Sequence, residues 1–126
     1  VSIWLIKISG NQDDPQGNPI PYERMTQRGK FIRRDAKRYL AWIEFVQQHW
    51  LEQAGCPLPD KRGGEYKLDV FCAFKGERHA DPDNIRKGIQ DAIFKNAGDK
   101  HVYGAVRFGH VLANPFVEFT VLSFFS

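Results

Sequence analysis

Several protein classes are excluded by what this sequence has little of. It has two cysteines, Cys56 and Cys72, in 126 residues, too few for the disulfide framework of a small secreted domain. Cys72 lies within the apolar run Val70-Phe71-Cys72-Ala73-Phe74 and is expected to be a buried free thiol, which fits a reducing, cytoplasmic setting. No apolar run approaches the roughly 18 residues of a membrane span, so no membrane partner is expected. The start, Val1-Ser2-Ile3-Trp4-Leu5-Ile6-Lys7-Ile8, has neither a basic leader nor a small-residue cleavage site and is not read as a signal peptide. Internal repeats and low-complexity tracts are also missing. Nor is there a large charge excess: the formal net charge is +3, which permits a polyanionic partner without requiring one.

What is present suits one ordinary globular domain over residues 1–126. Hydrophobic residues make up 42%, with ten Phe and three Trp, enough for one core. Ser2 to Ser9 alternates loosely and reads as a strand ending at the Gly10-Asn11 turn signal. Asn11 to Pro21, with three prolines and a glycine, reads as a loop, and a further short strand between Asn11 and Met25 is left open. Arg33 to Glu52 is the clearest helix, with Ala36, Tyr39, Leu40, Ile43, Val46 and Trp50 on one face and Trp42 and Phe45 widening it. Gly55 and Pro57 end it.

Tyr66 to Lys75 is predicted as a strand with Leu68, Val70, Cys72 and Phe74 on one face. Asn84 to Phe94 follows as a second helix on the spacing of Ile85, Gly88, Ile89, Ala92 and Ile93, with Asp83 expected as its cap. Two last strands are expected from about His101 to Val111 and from Phe116 to Phe125. The order strand, loop, helix, strand, helix, strand, strand implies an α+β domain with a mixed sheet of four or five strands and two helices packed on it.

The run Asp81-Pro82-Asp83-Asn84-Ile85-Arg86-Lys87, followed by Asp99, carries the chemistry. Pro82 drives Asp81 towards an extended conformation, and residues two apart on an extended chain project to one side. Two carboxylates about 4 Å apart repel by roughly 4 kcal/mol at an effective dielectric of 20. A divalent cation removes that repulsion, and an all-oxygen site suits Mg²⁺, with Mn²⁺ as a substitute. Lys87, one turn further, could contact a phosphate oxygen or stabilise charge on the phosphorane. These are the parts of a phosphodiester hydrolase. Counted from Asp81, an EF-hand would need glycine at Arg86 and glutamate at Ala92, so that reading fails. Zinc is set aside because His49, His79, His101 and His110 are scattered along the chain.

The same run, with Asp91-Ala92-Ile93 and Gly98-Asp99, resembles the signature of the RusA family of Holliday junction resolvases. The resemblance is convincing at residue level from about Asp81 to Asp99. It implies a metal-binding triad of Asp81, Asp83 and Asp99, a catalytic lysine at Lys87, and supporting positions at Asn84 and Asp91. It further implies paired symmetric nicking of four-way DNA junctions by a homodimer in recombination and repair. Family members often carry a basic residue where this chain has Ala80, and a second acid where it has Gly98. A non-catalytic branched-DNA-binding module of the same fold, or a nuclease preferring flaps or other branched DNA, therefore stays open as an alternative.

Candidate DNA contacts are Arg78, Arg86, Lys61, Arg62, Arg33 and Arg34, the last two within a basic group with Arg28, Lys30, Lys37 and Arg38. A solvated helix face explains that group equally well. Tyr39, Trp42 and Trp50 are expected in the core or a dimer interface rather than stacking on bases, and Phe124 and Phe125 are expected to pack.

Overall fold

A computed structural model describes residues 2–11, 14, 17–23, 34–98 and 100–124. The elements follow the order β1 (Ser2–Ser9), α1 (Arg34–Ala54), β2 (Tyr66–Lys75), α2 (Pro82–Ile93), β3 (Val102–Tyr103), β4 (Val106–Val111) and β5 (Phe116–Ser123). The five strands form one mixed sheet. β5 lies between β1 and β2 and is antiparallel to both, while β3 and then β4 run parallel to β2 along its other side. Both helices lie against this sheet and against each other. The chain is thus a small α+β domain, as its pattern predicts, and no helix among the described residues is long and apolar enough to cross a membrane.

Period-two alternation sets the buried face of the sheet. Ile6 and Ile8 of β1, Leu68, Val70, Cys72 and Phe74 of β2, and Val117, Phe119 and Val121 of β5 are all buried. Opposite them α1 buries Ala36, Tyr39, Trp42, Val46 and Trp50, and α2 buries Ile85, Gly88, Ile89, Ala92 and Ile93. Each large apolar side chain so removed from water contributes about 1.5–3 kcal/mol. Trp50 is the best-satisfied aromatic: its ring packs on Trp4 with centroids 5.3 Å apart, and its Nε1–H is shared by the carbonyls of Cys56 and Pro57 at 3.0 and 3.1 Å.

Three expectations need correction. On α1, Trp42 is in the core as expected, but Leu40, placed on the buried face, remains 40% exposed. The helical stripe is therefore rotated towards Trp42, and Leu40 falls outside the zone that the sheet covers. Phe124 is 51% exposed and does not pack; it lies one residue beyond the last sheet pairing, Ser123 with Ser2 and Tyr66. Phe125 is outside the described residues.

The predicted strand from His101 to Val111 is broken at Gly104 and Ala105 into β3 and β4. Gly104 adopts φ +139, and a Cβ there would lie 1.9 Å from the Leu68 carbonyl oxygen. The break is where the backbone comes close to the Leu68 carbonyl of β2, and only glycine allows it. The strand left open between Asn11 and Met25 does not appear among the described residues of that segment. The segment is anchored, because the Asn18 amide donates to the Lys75 carbonyl at 3.0 Å and accepts the Lys75 N–H at 2.8 Å.

Candidate active site

The segment between β2 and α2 delivers the acidic run to the start of α2. Helix α2 begins at Pro82, two residues earlier than the apolar spacing suggests, because proline is pre-set for the first helical position and has no N–H to leave unpaired. Asp81, not Asp83, is consequently the N-cap. It is extended, with φ −63 and ψ 127, and its Oδ1 accepts the backbone N–H of Asp83 at 2.9 Å. The Asp81 carbonyl accepts from Asn84 and Ile85 at 3.0 and 3.1 Å.

Asp83 is an exposed first-turn residue of the helix rather than part of an extended pair. The cap joins the Asp81 carboxylate to the backbone of Asp83, and strand-like alternation plays no part. Asp81 Oδ2 and the Asp83 carboxylate make no hydrogen bond to the described residues, so three carboxylate oxygens face solvent at a helix start. That donor set fits a hard, oxygen-loving ion such as Mg²⁺, which keeps several waters and needs only one or two protein carboxylates. Asp99 lies outside the described residues. Among the described residues no group of three His, Cys, Asp or Glu side chains is arranged to hold a metal.

Lys87, Asn84 and Asp91 share the exposed polar side of α2. The ammonium of Lys87 sits over the Tyr22 ring, 4.1 Å from its centroid. The segment bearing Tyr22 is held to the helix by its N–H, which donates to the Asn84 carbonyl at 3.0 Å. Close approach is possible because Gly88 carries no side chain; a Cβ there would lie 3.3 Å from the Tyr39 ring and 3.6 Å from the Tyr22 nitrogen. Tyr22 and Tyr39 meet edge to face at 5.7 Å, and the Tyr39 hydroxyl donates to Asp91 Oδ2 at 2.9 Å. Burial, reinforced by the Asp91 carboxylate, pushes the Tyr39 phenol well above its ordinary value, so it stays a proton donor. Asp91 is thereby engaged by Tyr39 and forms no ion pair with Lys87.

The basic candidates divide. Arg86 directs Nε and Nη2 at the Leu68 carbonyl, at 3.3 and 3.1 Å, and Nη1 at Gln90 Oε1 at 2.9 Å. Desolvation lowers its pKa from the usual arginine value, with Asp69 and Asp83 opposing the shift. Its guanidinium fastens α2 to β2, which leaves little of it for DNA. Arg78, Lys61 and Arg62 are exposed. Arg78 lines a cleft of about 620 Å³ with Asp14, Arg38, Glu77 and His79. Lys37 is exposed and Arg38 half-buried, with its Nε buried and unpaired. Arg28, Lys30 and Arg33 lie outside the described residues, as does the side chain of Arg34.

Sequence reasoning missed Tyr22 and the supporting role of Tyr39, and it set the histidines aside as scattered. His79 and His110 in fact meet, with Nε2 atoms 3.0 Å apart. Nothing local announces such contacts, since they join segments 31 and more residues apart. No protein-family model matches the chain, and no curated protein matches it in sequence.

Proposed function

We propose that this protein is a Mg²⁺-dependent endodeoxyribonuclease of the RusA kind, acting on four-way DNA junctions. The observation that carries this reading is the start of α2. There the cap presents Asp81 and Asp83 together, and Lys87 follows one turn along the same exposed side.

Asp81 Oδ2 and the Asp83 carboxylate would hold the ion, with Asp99 as the third acid. Bound there, Mg²⁺ supplies polarisation of a phosphate oxygen and a hydroxide nucleophile at neutral pH. The Tyr22 ring restrains the Lys87 ammonium without neutralising it, since a π face attracts a cation but takes up little of its hydrogen-bonding capacity. Lys87 can therefore donate to a phosphoryl oxygen and offset the negative charge that grows there in the transition state. Tyr39 keeps Asp91 from competing for that lysine.

Exposed Arg78, Lys61 and Arg62 are proposed backbone-phosphate contacts. Paired nicking requires two sites, so a homodimer is part of the proposal. The sheet face away from the helices carries exposed Ile3 and Leu5, which supports a second copy there.

The test is cleavage of synthetic four-way junctions, flaps and linear duplex with Mg²⁺. Symmetric cuts in the junction, lost in Asp81→Asn, Asp83→Asn and Asp99→Asn while junction binding persists, are expected. Cleavage of flaps in preference would replace the junction assignment. Salt-sensitive DNA binding with no metal-dependent nicking would replace the enzyme by a binding module.

A further inference from the structure

We propose that His79 and His110 form a separate, nitrogen-donor metal site that takes Zn²⁺, with water completing its shell. His79 lies in the segment before α2 and His110 near the end of β4, where it pairs in register with Phe74 of β2. Their Nε2 atoms approach to 3.0 Å. Two nitrogens each about 2.05 Å from a tetrahedral zinc stand roughly 3.3 Å apart, so the pair needs only a slight opening to bracket the ion.

The tautomer of His79 is fixed by its other nitrogen. Nδ1 lies 2.8 Å from the Ala80 carbonyl oxygen, which can only accept, so Nδ1 carries the proton and the Nε2 lone pair points at His110. A backbone carbonyl that accepts from one ring nitrogen orients the other towards a metal in this way. The His79 ring is held flat on Phe74, with centroids 3.9 Å apart and planes 2° from parallel. Phe108 meets the His110 ring edge to face at 6.0 Å. His110 is exposed, which gives an ion access.

Without an ion, the contact needs the His110 Nε2–H tautomer, whose proton bridges the two nitrogens. On metal binding that proton moves to His110 Nδ1 through solvent, and both Nε2 lone pairs are donated to the ion. No third His, Cys, Asp or Glu among the described residues completes the set, so water fills the remaining positions. The ion would clamp the segment carrying Ala80 and Asp81 to β4. Imidazole donors favour zinc over magnesium, so this site does not compete with the carboxylates for Mg²⁺.

The experiment is a Zn²⁺ titration of the whole chain in a large excess of Mg²⁺, followed by calorimetry and by thermal unfolding. One Zn²⁺ per chain and a raised Tm are expected. In His110→Ala, affinity should fall at least tenfold and the zinc-induced rise in Tm should vanish, with unfolding in the absence of zinc unchanged. Cu²⁺ used as a spectroscopic probe should show superhyperfine coupling to two imidazole nitrogens in the wild type and to one in His110→Ala. Equal zinc affinity in the two proteins, or no two-nitrogen signal, would show a hydrogen-bonded pair only and overturn the proposal. None of these readouts depends on nuclease activity.

Discussion

The carboxylate of Asp81 accepts the backbone N–H of Asp83 at 2.9 Å, so one candidate metal ligand organises the backbone that carries the other. Capping uses Oδ1, which takes the N–H, and the proposed metal binding would use Oδ2, which accepts from no described residue. The two roles can therefore be separated by substitution.

Asparagine preserves a cap oxygen and removes the charge, whereas alanine removes both. Asp81→Asn should unfold in urea within a few tenths of a kcal/mol of the wild type, while Asp81→Ala should lose about 1 kcal/mol. Both should lose Mg²⁺-dependent cleavage. Equal cleavage by Asp81→Asn and wild type would leave Asp81 as a helix cap and nothing more.

Tyr22 offers a second separation. If its ring positions Lys87, Tyr22→Phe should keep cleavage near wild type, because the quadrupole of the ring remains. Tyr22→Ala should lower kcat roughly tenfold, equivalent to about 1.4 kcal/mol, with KM for the junction little changed. A loss in both variants would implicate the hydroxyl instead, and a loss in KM alone would make Tyr22 a binding residue.

The sheet was legible because the buried inward positions of β1, β2 and β5 are apolar apart from Ser123 at the end of β5, and every turn carries glycine or proline. The helix start was legible to within two residues, since Pro82 with an aspartate on either side marks the beginning of a helix. The cap was misplaced at Asp83 because apolar periodicity in α2 begins only at Ile85, which hides the first turn; the proline rule would have put it at Asp81. The exposure of Leu40, Tyr22 under Lys87, and the His79–His110 contact depend on how α1, β4 and the segment before α1 sit in three dimensions. Periodicity within one element holds no information about that.

Burial pushes the Cys72 thiol up to about 12. In the unfolded chain a cysteine ionises near pH 8.5. Above that pH the unfolded chain releases a proton that the folded chain retains, so it binds fewer protons and stability falls as pH rises. The contribution is complete below the unfolded value and is lost progressively up to about pH 12, at no more than about 1.4 kcal/mol per pH unit. Tyr39, whose phenol is raised in the same way, joins from about pH 10. Denaturant titrations between about pH 9 and pH 10 should give a shallower decline for Cys72→Ala than for wild type. Parallel slopes would show that the thiol ionises alike in both states.

The Leu68 carbonyl is the point on which α2 and the β3–β4 break both depend. It accepts two N–H groups from Arg86, and it lies where a Cβ on Gly104 would fall. An alanine at 104 must either move that carbonyl or leave φ +139, and a displaced carbonyl also loses Arg86, leaving a half-buried guanidinium short of acceptors. Gly104→Ala should therefore destabilise by at least about 2–3 kcal/mol, and Arg86→Ala by about 2 kcal/mol. Because both act through one acceptor, the double variant should lose clearly less than the sum of the two. Arg86→Ala should leave the salt dependence of DNA binding unchanged, whereas Arg78→Ala should reduce its slope by about one ion. Strict additivity in unfolding would mean that Gly104 and Arg86 act independently, and a reduced salt slope in Arg86→Ala would return that guanidinium to the DNA-binding surface.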